Sequence, residues 1–243
     1  MKTKIAVVDT RLPDAMYRRL MMHGWHVVAL PPSPRLGSAV ASHPDMLIAS
    51  VGGELVTSAD YCETAACAIS EIYDNLRVKI HFTSDVHGEK YPSDVIFNSL
   101  IIKDKIFARL DTLSPYLIEL SRKKELTPVN MNQGYPACTV LKLSDEAVIT
   151  ADEGAARVLR ENGIRVYMIE NGGIRLSPYE YGFIGGAAGR WQDTVYFMGD
   201  ARTHPSWDRI NEAISAEGLR VVMLGEGPLL DLGGILFAEG DVN

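Results

Sequence analysis

A chain of 243 residues, 47% of them hydrophobic, carries enough apolar side chains for a substantial packed core without staples. Its formal charge of -7, from 24 Lys and Arg against 31 Asp and Glu, excludes non-specific binding to nucleic acid or anionic lipid, which needs clustered positive charge. Cys62, Cys67 and Cys138 lack zinc-type spacing, Met1 to Lys4 leads straight into a strand rather than a signal peptide, and no apolar run reaches the roughly 20 residues of a membrane span. A reducing cytoplasm is the expected location.

The first β-rich run, Ile5 to Asp9, leads into a helical segment that breaks at Gly24, and a strand follows over Trp25 to Leu30. After a loop over 31–44 come two runs in succession, Asp45 to Ser50 and Leu55 to Asp60, then a helix carrying Cys62 and Cys67, then Val78 to Phe82. The loop 84–93, with His81 and His87 on its flanks, opens the next group: Asp94 to Ile102, Ile106 to Asp111, a helix ending in Arg122-Lys123-Lys124, and Pro128 to Met131. Cations at that helix end complement its dipole. Loop 132–137 leads to Cys138 to Leu143, Val148 to Asp152, a helix with Ala155, Ala156, Val158 and Leu159 on one face, and Arg165 to Ile169. Loop 170–181 leads to Gly182 to Gly186, Val195 to Asp200, a helix with Ile210, Ala213 and Ile214 buried, and Arg220 to Leu224. A loop over 225–230 precedes the last run, Asp231 to Phe237.

These runs form a repeat, and a repeat decides the architecture. Five strands end in Asp, at Asp9, Asp60, Asp111, Asp152 and Asp200, and each is followed by one short amphipathic helix. Their plain structural role is to cap the helices that follow. Each unit reads strand, strand, helix, strand, and the fifth is split between the two ends of the chain. The expected fold is therefore a pseudo-fivefold α/β propeller of ββαβ units, a single domain over 1–243, closed by pairing of the N- and C-terminal strands. A doubly wound sheet is the competing fold. Against it, strands come in pairs before each helix, and no GxGxxG or GxxxxGK[ST] opens a helix.

Five such units sharing their last blade between the termini resemble the pentein superfamily, the five-bladed propeller of the guanidino-group-modifying enzymes, which also includes a non-enzymatic initiation factor. The resemblance implies a Cys nucleophile in the last blade, a His that transfers protons, and carboxylates that hold the cationic guanidinium. The last blade here reads Gly227-Pro-Leu-Leu-Asp231-Leu-Gly233-Gly234-Ile-Leu-Phe237, and no Cys follows Cys138. The usual nucleophile is missing from its usual place. Gly182 to Gly186 and the terminal Asp-Leu-Gly-Gly resemble a bacterial branch of the superfamily, to which the resemblance attaches no activity.

In such a ring the loops entering the first strands form one face, and a site belongs there. Asp45, Asp94 and Asp231 begin three of the five first strands, where they either make an acidic pocket for a cation or hold the ring together through backbone bonds. Cys138 takes the matching place in the third blade, as a nucleophile or as an inert buried thiol. Cys62 and Cys67 read as small core residues. His81 or His87 can serve as general acid or base, with His87, in Asp85-Val-His87-Gly88, the favoured candidate, while His43 and His204 read as structural. Asn98 offers a neutral hydrogen-bonding group near the inner face, and Gly182 to Gly189 reads as close packing at a crowded centre. Arg175 and Arg190 are exposed by default. With no HxH or HExxH pattern and no phosphate loop, neither a metal nor a cofactor is expected. Two functions follow as expectations. One is binding or C–N hydrolysis of a small cationic or zwitterionic, guanidino- or amidino-type ligand; the other is a non-catalytic interaction module.

Overall fold

The computed structural model describes residues 2–241. In chain order its elements are β1 (Lys2–Asp9), α1 (Asp14–Met22), β2 (His26–Leu30), α2 (Pro44–Leu47), β3 (Ala49–Val51), β4 (Glu54–Ser58), α3 (Ala59–Thr64), α4 (Ala66–Leu76) and β5 (Ile80–Thr83). There follow β6 (Leu100–Ile102), β7 (Lys105–Ala108), α5 (Pro115–Lys123), β8 (Thr127–Asn130), α6 (Pro136–Thr139), β9 (Val140–Lys142), β10 (Ala147–Thr150), α7 (Glu153–Glu161) and β11 (Arg165–Met168). The last part holds β12 (Ile174–Arg175), β13 (Ala188–Trp191), β14 (Thr194–Phe197), a 3-10 turn at Ala201–Thr203, α8 (Trp207–Ala216), β15 (Arg220–Met223), β16 (Leu229–Leu230) and β17 (Leu236–Asp241).

These strands make a mixed α/β fold of small sheets. Five sheets have three strands each, in the orders β3-β4-β5, β6-β7-β8, β9-β10-β11, β13-β14-β15 and β17-β1-β2. In each, the middle strand pairs antiparallel with one neighbour and parallel with the other, as in Ser50↔Leu55 beside Leu55↔Ile80. The terminal strands pair as the repeat requires, with Ile5 opposite Ala238 and Val7 opposite Leu236. A further two-stranded parallel ladder, Ile174↔Leu229 and Arg175↔Leu230, joins two loops that read as irregular in the sequence.

The middle strands explain the apolar runs. Ile5 to Val8 are fully buried, as are Ala147 to Ile149, because both faces are covered; on β1, Ala6 and Val8 pack with Met16 and Leu20 of α1, and Ile5 and Val7 pack with Ile69 and Ile72 of α4. Such a strand reads as a continuous apolar run rather than an alternating one. Gly163 and Gly218, which close α7 and α8, take φ of +77° and +67°, the left-handed turn that favours glycine.

The Asp junctions divide by role. Asp152 caps α7, accepting the Ala155 N–H at 2.6 Å, and Asp200 caps the 3-10 turn through Arg202 N–H at 3.0 Å. Asp9, Asp60 and Asp111 instead pair with Arg11, Arg35 and Arg109, so capping accounts for only part of the class. Replacing Asp152 by alanine should cost about 1 kcal/mol, seen as a melting temperature lower by roughly 2–4 °C.

Two expectations about elements need correction. The first strands begin later than the residue pattern implies: Asp45 and Cys138 lie in the one-turn helices α2 and α6, and Asp94, Gly182 to Gly186 and Asp231 lie in turns or irregular chain. Pro44 and Pro136 open those helical turns, and a fixed φ near -65° starts a helix as readily as it ends a loop. The single helix expected over Cys62 and Cys67 is broken at Ala65; Cys62 packs half-buried on a core cluster, and Cys67 is exposed rather than in the core.

Candidate functional site

The chain crowds together where the first strands begin. The N–H of Asp45 donates to the Gly233 carbonyl at 3.3 Å, that of Gly186 to the Cys138 carbonyl at 2.8 Å, and those of Leu232 and Gly234 to the Gly186 carbonyl at 2.9 and 2.8 Å. The glycines at 182, 185 and 186 have no room for side chains. A Cβ on Gly186 would sit 2.0 Å from Asp231 Oδ1, and one on Gly185 would sit 2.4 Å from the Ala137 carbonyl oxygen.

The polar groups meet on this packed base. The Cys138 thiol donates to Asp45 Oδ2 at 2.7 Å, and Asn98 Nδ2 donates to Cys138 Sγ at 3.4 Å and to the Asp45 carbonyl at 3.3 Å. Asn98 Oδ1 accepts the Ala137 N–H at 2.9 Å, so its amide bridges α2 and α6. Asp231 accepts the N–H groups of Phe183 and Gly233 at 2.8 and 3.2 Å. Asp94 Oδ2 accepts the Tyr135 hydroxyl at 2.8 Å, and its Oδ1 is buried without a partner, as is Asp45 Oδ1.

Above this base opens a cavity of about 730 Å³. Its floor includes His43, Asp94, Cys138 and Asp231, and its walls come from the entering loops, with Tyr91, Tyr135, Tyr179 and Tyr181 among them. Tyr91 stacks on Tyr135 at 5.5 Å between ring centroids, and Arg11 holds the loop at 38–39 through the carbonyls of Ser38 and Ala39. Asp45 itself borders a second cavity of about 380 Å³, which Lys142 and Arg190 also reach. Arg175 is exposed on β12.

Burial sets the protonation states. It raises the Asp45 carboxyl well above the ordinary range, with the Asp231 charge adding to the effect. Burial likewise pushes the Cys138 thiol up, and the charges of Asp45 and Asp231 push it further, so the free protein holds a thiol and not a thiolate. Asp231 is raised to about 6 and Asp94 is raised as well, both chiefly by burial. His43 is lowered to about 3, by burial and then by the Arg11 charge, so its ring is neutral.

The structure thus brings Asp45, Asn98 and Cys138 into direct contact and puts Asp94 and Asp231 on the same cavity floor. It does not bring His87 there. That ring is buried, its Nε2 donates to the Met46 carbonyl at 2.8 Å, and its edge meets Phe97 at 5.1 Å. The imidazole on the cavity is His43, which reads from the sequence as structural. One signal could have found it: His43-Pro44-Asp45 and Tyr135-Pro136-Ala137-Cys138 are two matching Pro-opened turns, and both deliver their residues to the centre. His204 is structural, accepting the Ser206 N–H through Nδ1 at 3.0 Å.

The fold matches that of solved pentein structures. SxtG, an amidinotransferase of Microseira wollei in the saxitoxin biosynthetic pathway, superposes with a TM-score of 0.56 at 12% identity, covering 90% of this chain and 78% of that one. DDAH of Pseudomonas aeruginosa, solved as a Cys-to-Ser variant complexed with citrulline, gives 0.53 at 15% identity, covering 92% and 91%. The N-terminal domain of ArgZ, a cyanobacterial arginine dihydrolase of the ornithine–ammonia cycle solved with product bound, gives 0.56 at 12% identity, covering 96% and 94%. The chain belongs to the Family of unknown function (DUF6873), whose model matches residues 7–236. No curated protein matches its sequence. Among the described residues no helix is long and apolar enough to cross a membrane.

Proposed function

We propose that this protein binds a small organic cation of the guanidino or amidino type on the cavity floor and hydrolyses a C–N bond in it. One observation carries the reading: Asp45 bonds the Cys138 thiol, Asp94 and Asp231 line the same cavity as that thiol, and among the described residues none of the three accepts a hydrogen bond from an arginine or lysine. Buried acids without a cation are costly, and a planar cation that forks two N–H groups toward a carboxylate relieves that cost. The five sheets act in this reading as five blades of one domain, closed by the β1–β17 pair.

The arrival of a cation reverses the local field. A positive charge beside Cys138 lowers its pKa, and the thiol proton has a path to Asp45 along the existing 2.7 Å bond. The resulting thiolate can attack the electron-poor carbon between the nitrogens; a C–N bond then breaks, the leaving ammonia or amine takes the proton held by Asp45, and water cleaves the C–S bond to give the ureido product and restore the thiol. His43 replaces His87 as the imidazole near the thiol. Structures of similar fold are named an amidinotransferase and an arginine dihydrolase, and DDAH is solved with the ureido amino acid citrulline, which supports the ligand class at the level of the fold.

The test is a calorimetric and thermal-shift screen of arginine, agmatine, methylated arginines, citrulline and polyamines. A true ligand at 100 times its Kd adds about 2.7 kcal/mol of stability, and the same concentration should add only about 0.4–1.4 kcal/mol to Asp94→Asn. Silence across the guanidino compounds would overturn the reading in favour of an interaction module.

A further inference from the structure

We propose that His43, Asp45 and Cys138 form a three-ligand zinc site whose fourth position opens into the main cavity. One ligand atom from each of the three lies within 4.8 Å of the others, a geometry no sequence pattern announces because the residues come from two separate turns. This goes beyond the small-cation reading and competes with it for the Cys138 sulfur, since a metal-bound thiolate does not attack carbon; metal retention tests it without any guanidino compound.

The imidazole carries the inference. His43 is completely buried, yet neither Nδ1 nor Nε2 has a hydrogen-bond partner. A buried ring with both nitrogens idle is an expensive feature, and a neutral imidazole with a free nitrogen is a metal ligand. Asp45 Oδ1 is a second buried oxygen without a partner, next to the same thiol. Three independent donors therefore converge, two of them with unused capacity.

The donor set selects the metal. One sulfur, one nitrogen and one oxygen suit zinc, whereas magnesium and calcium take oxygen ligands. In a tetrahedral zinc site, bonds of about 2.0–2.3 Å put the ligand atoms roughly 3.3–3.8 Å apart. The present Sγ to Oδ2 contact of 2.7 Å must then open, and the widest separation must close by about 1 Å, both within reach of side-chain rotation. On binding, the thiol proton leaves to solvent and the sulfur bonds to the metal as thiolate.

The surroundings are those of a supported site. Asn98 Nδ2 donates to the sulfur at 3.4 Å, and Asp9 Oδ2 stands 3.9 Å from His43 Nε2, where an outer carboxylate steadies a metal-bound ring. Gly233 passes so close that a Cβ there would lie 2.3 Å from His43 Cβ, which confines the ring to its place. Since His43 and Cys138 both border the main cavity, an ion between them meets that space, the arrangement of zinc sites that leave one position free.

The experiment loads the full chain with Zn2+, dialyses it against metal-free buffer, and measures metal content; cobalt loading then reads the ligands. The expected results are one equivalent of zinc per chain and, with Co2+, a sulfur-to-metal charge-transfer band in the near ultraviolet. That band should disappear in Cys138→Ser and persist in Cys67→Ser, while His43→Ala should weaken zinc binding by more than the roughly 10- to 100-fold cost of losing an outer partner. If Cys138→Ser fails to fold, Asp45→Asn serves, with the cobalt spectrum shifted and zinc retention reduced. Wild-type protein that retains no zinc, or a cobalt band that survives Cys138→Ser, would overturn the proposal. Zinc retention alongside silence toward guanidino compounds would uphold this site and remove only the ligand reading.

Discussion

Replacing Gly185 by alanine should destabilise the protein by about 3 kcal/mol or more, a loss of roughly 6–12 °C in melting temperature for a chain of this size. The added Cβ would lie 2.4, 2.6 and 2.7 Å from the carbonyl oxygens of Ala137, Val140 and Cys138. Those are backbone atoms of α6 and β9, so no rotamer change can make room, and α6 would have to retreat with Cys138 on it. The matching control is Gly227→Ala, where nothing lies within 4 Å. There the substitution removes only unfolded-chain freedom and should be neutral or stabilising by up to about 1 kcal/mol. Equal melting temperatures for the two variants would show that the centre is not packed as described.

Affinity for a guanidinium ligand should fall steeply on acidification through about pH 6, and Asp94→Asn should weaken it roughly 10- to 100-fold at neutral pH. Asp231 titrates at about 6 and Asp94 is also raised, both chiefly because burial penalises their charged forms. Above that range they are carboxylates ready for a cation; below it they are neutral, and each proton that must leave on binding costs up to about one decade per pH unit. The magnitude for Asp94→Asn follows from the 1.5–3 kcal/mol of a hydrogen bond to a charged group. Stability of the ligand-free protein moves the opposite way. A carboxyl whose folded pKa lies above its unfolded value takes up its proton earlier in the fold, so acidification from about 6 toward 4 relieves strain rather than adding it. Calorimetry from pH 5 to 8 separates the two slopes, and an affinity flat across that range would mean the carboxylates do not hold the ligand.

The acidic floor also explains why Cys138 is harmless at rest. Its thiol is held up by burial and by Asp45 and Asp231, which keeps it from forming the reactive thiolate. Iodoacetamide labelling of Cys138 at pH 7 should therefore be slow beside that of exposed Cys67, which sits in α4 with its thiol open to solvent. The ratio of the two rates, read by mass spectrometry, checks this directly.

Much of the fold is legible along the chain because it depends on local repetition. The five Asp-ended runs mark the middle strands, and the runs after Gly24, Gly163 and Gly218 mark their parallel neighbours to within a residue or two. That the N- and C-terminal runs pair, as β1 and β17 do, follows from counting strands, whereas the register of Ile5 on Ala238 is seen only in the structure. The carboxylates at the strand entrances and Cys138 are legible for the same reason, as matching positions in a repeat.

Where the chain leaves the repeat, only tertiary contact decides. His87 lies in a polar loop with an acid two residues away, yet its ring is drawn under Met46 and against Phe97, because burying an aromatic edge there outweighs solvation of a neutral imidazole. His43, beside a proline in an unremarked turn, ends up on the cavity floor because Gly233 passes against its Cβ from the far end of the chain. Periodicity and spacing report which face a residue occupies within its own element, and these set the strands, the helices and the ring of acids. The approach of His43, Asp45 and Cys138 to one another is set by how two Pro-opened turns and two glycine segments pack across the centre, and that is a property of distance in space, which spacing along the chain does not carry.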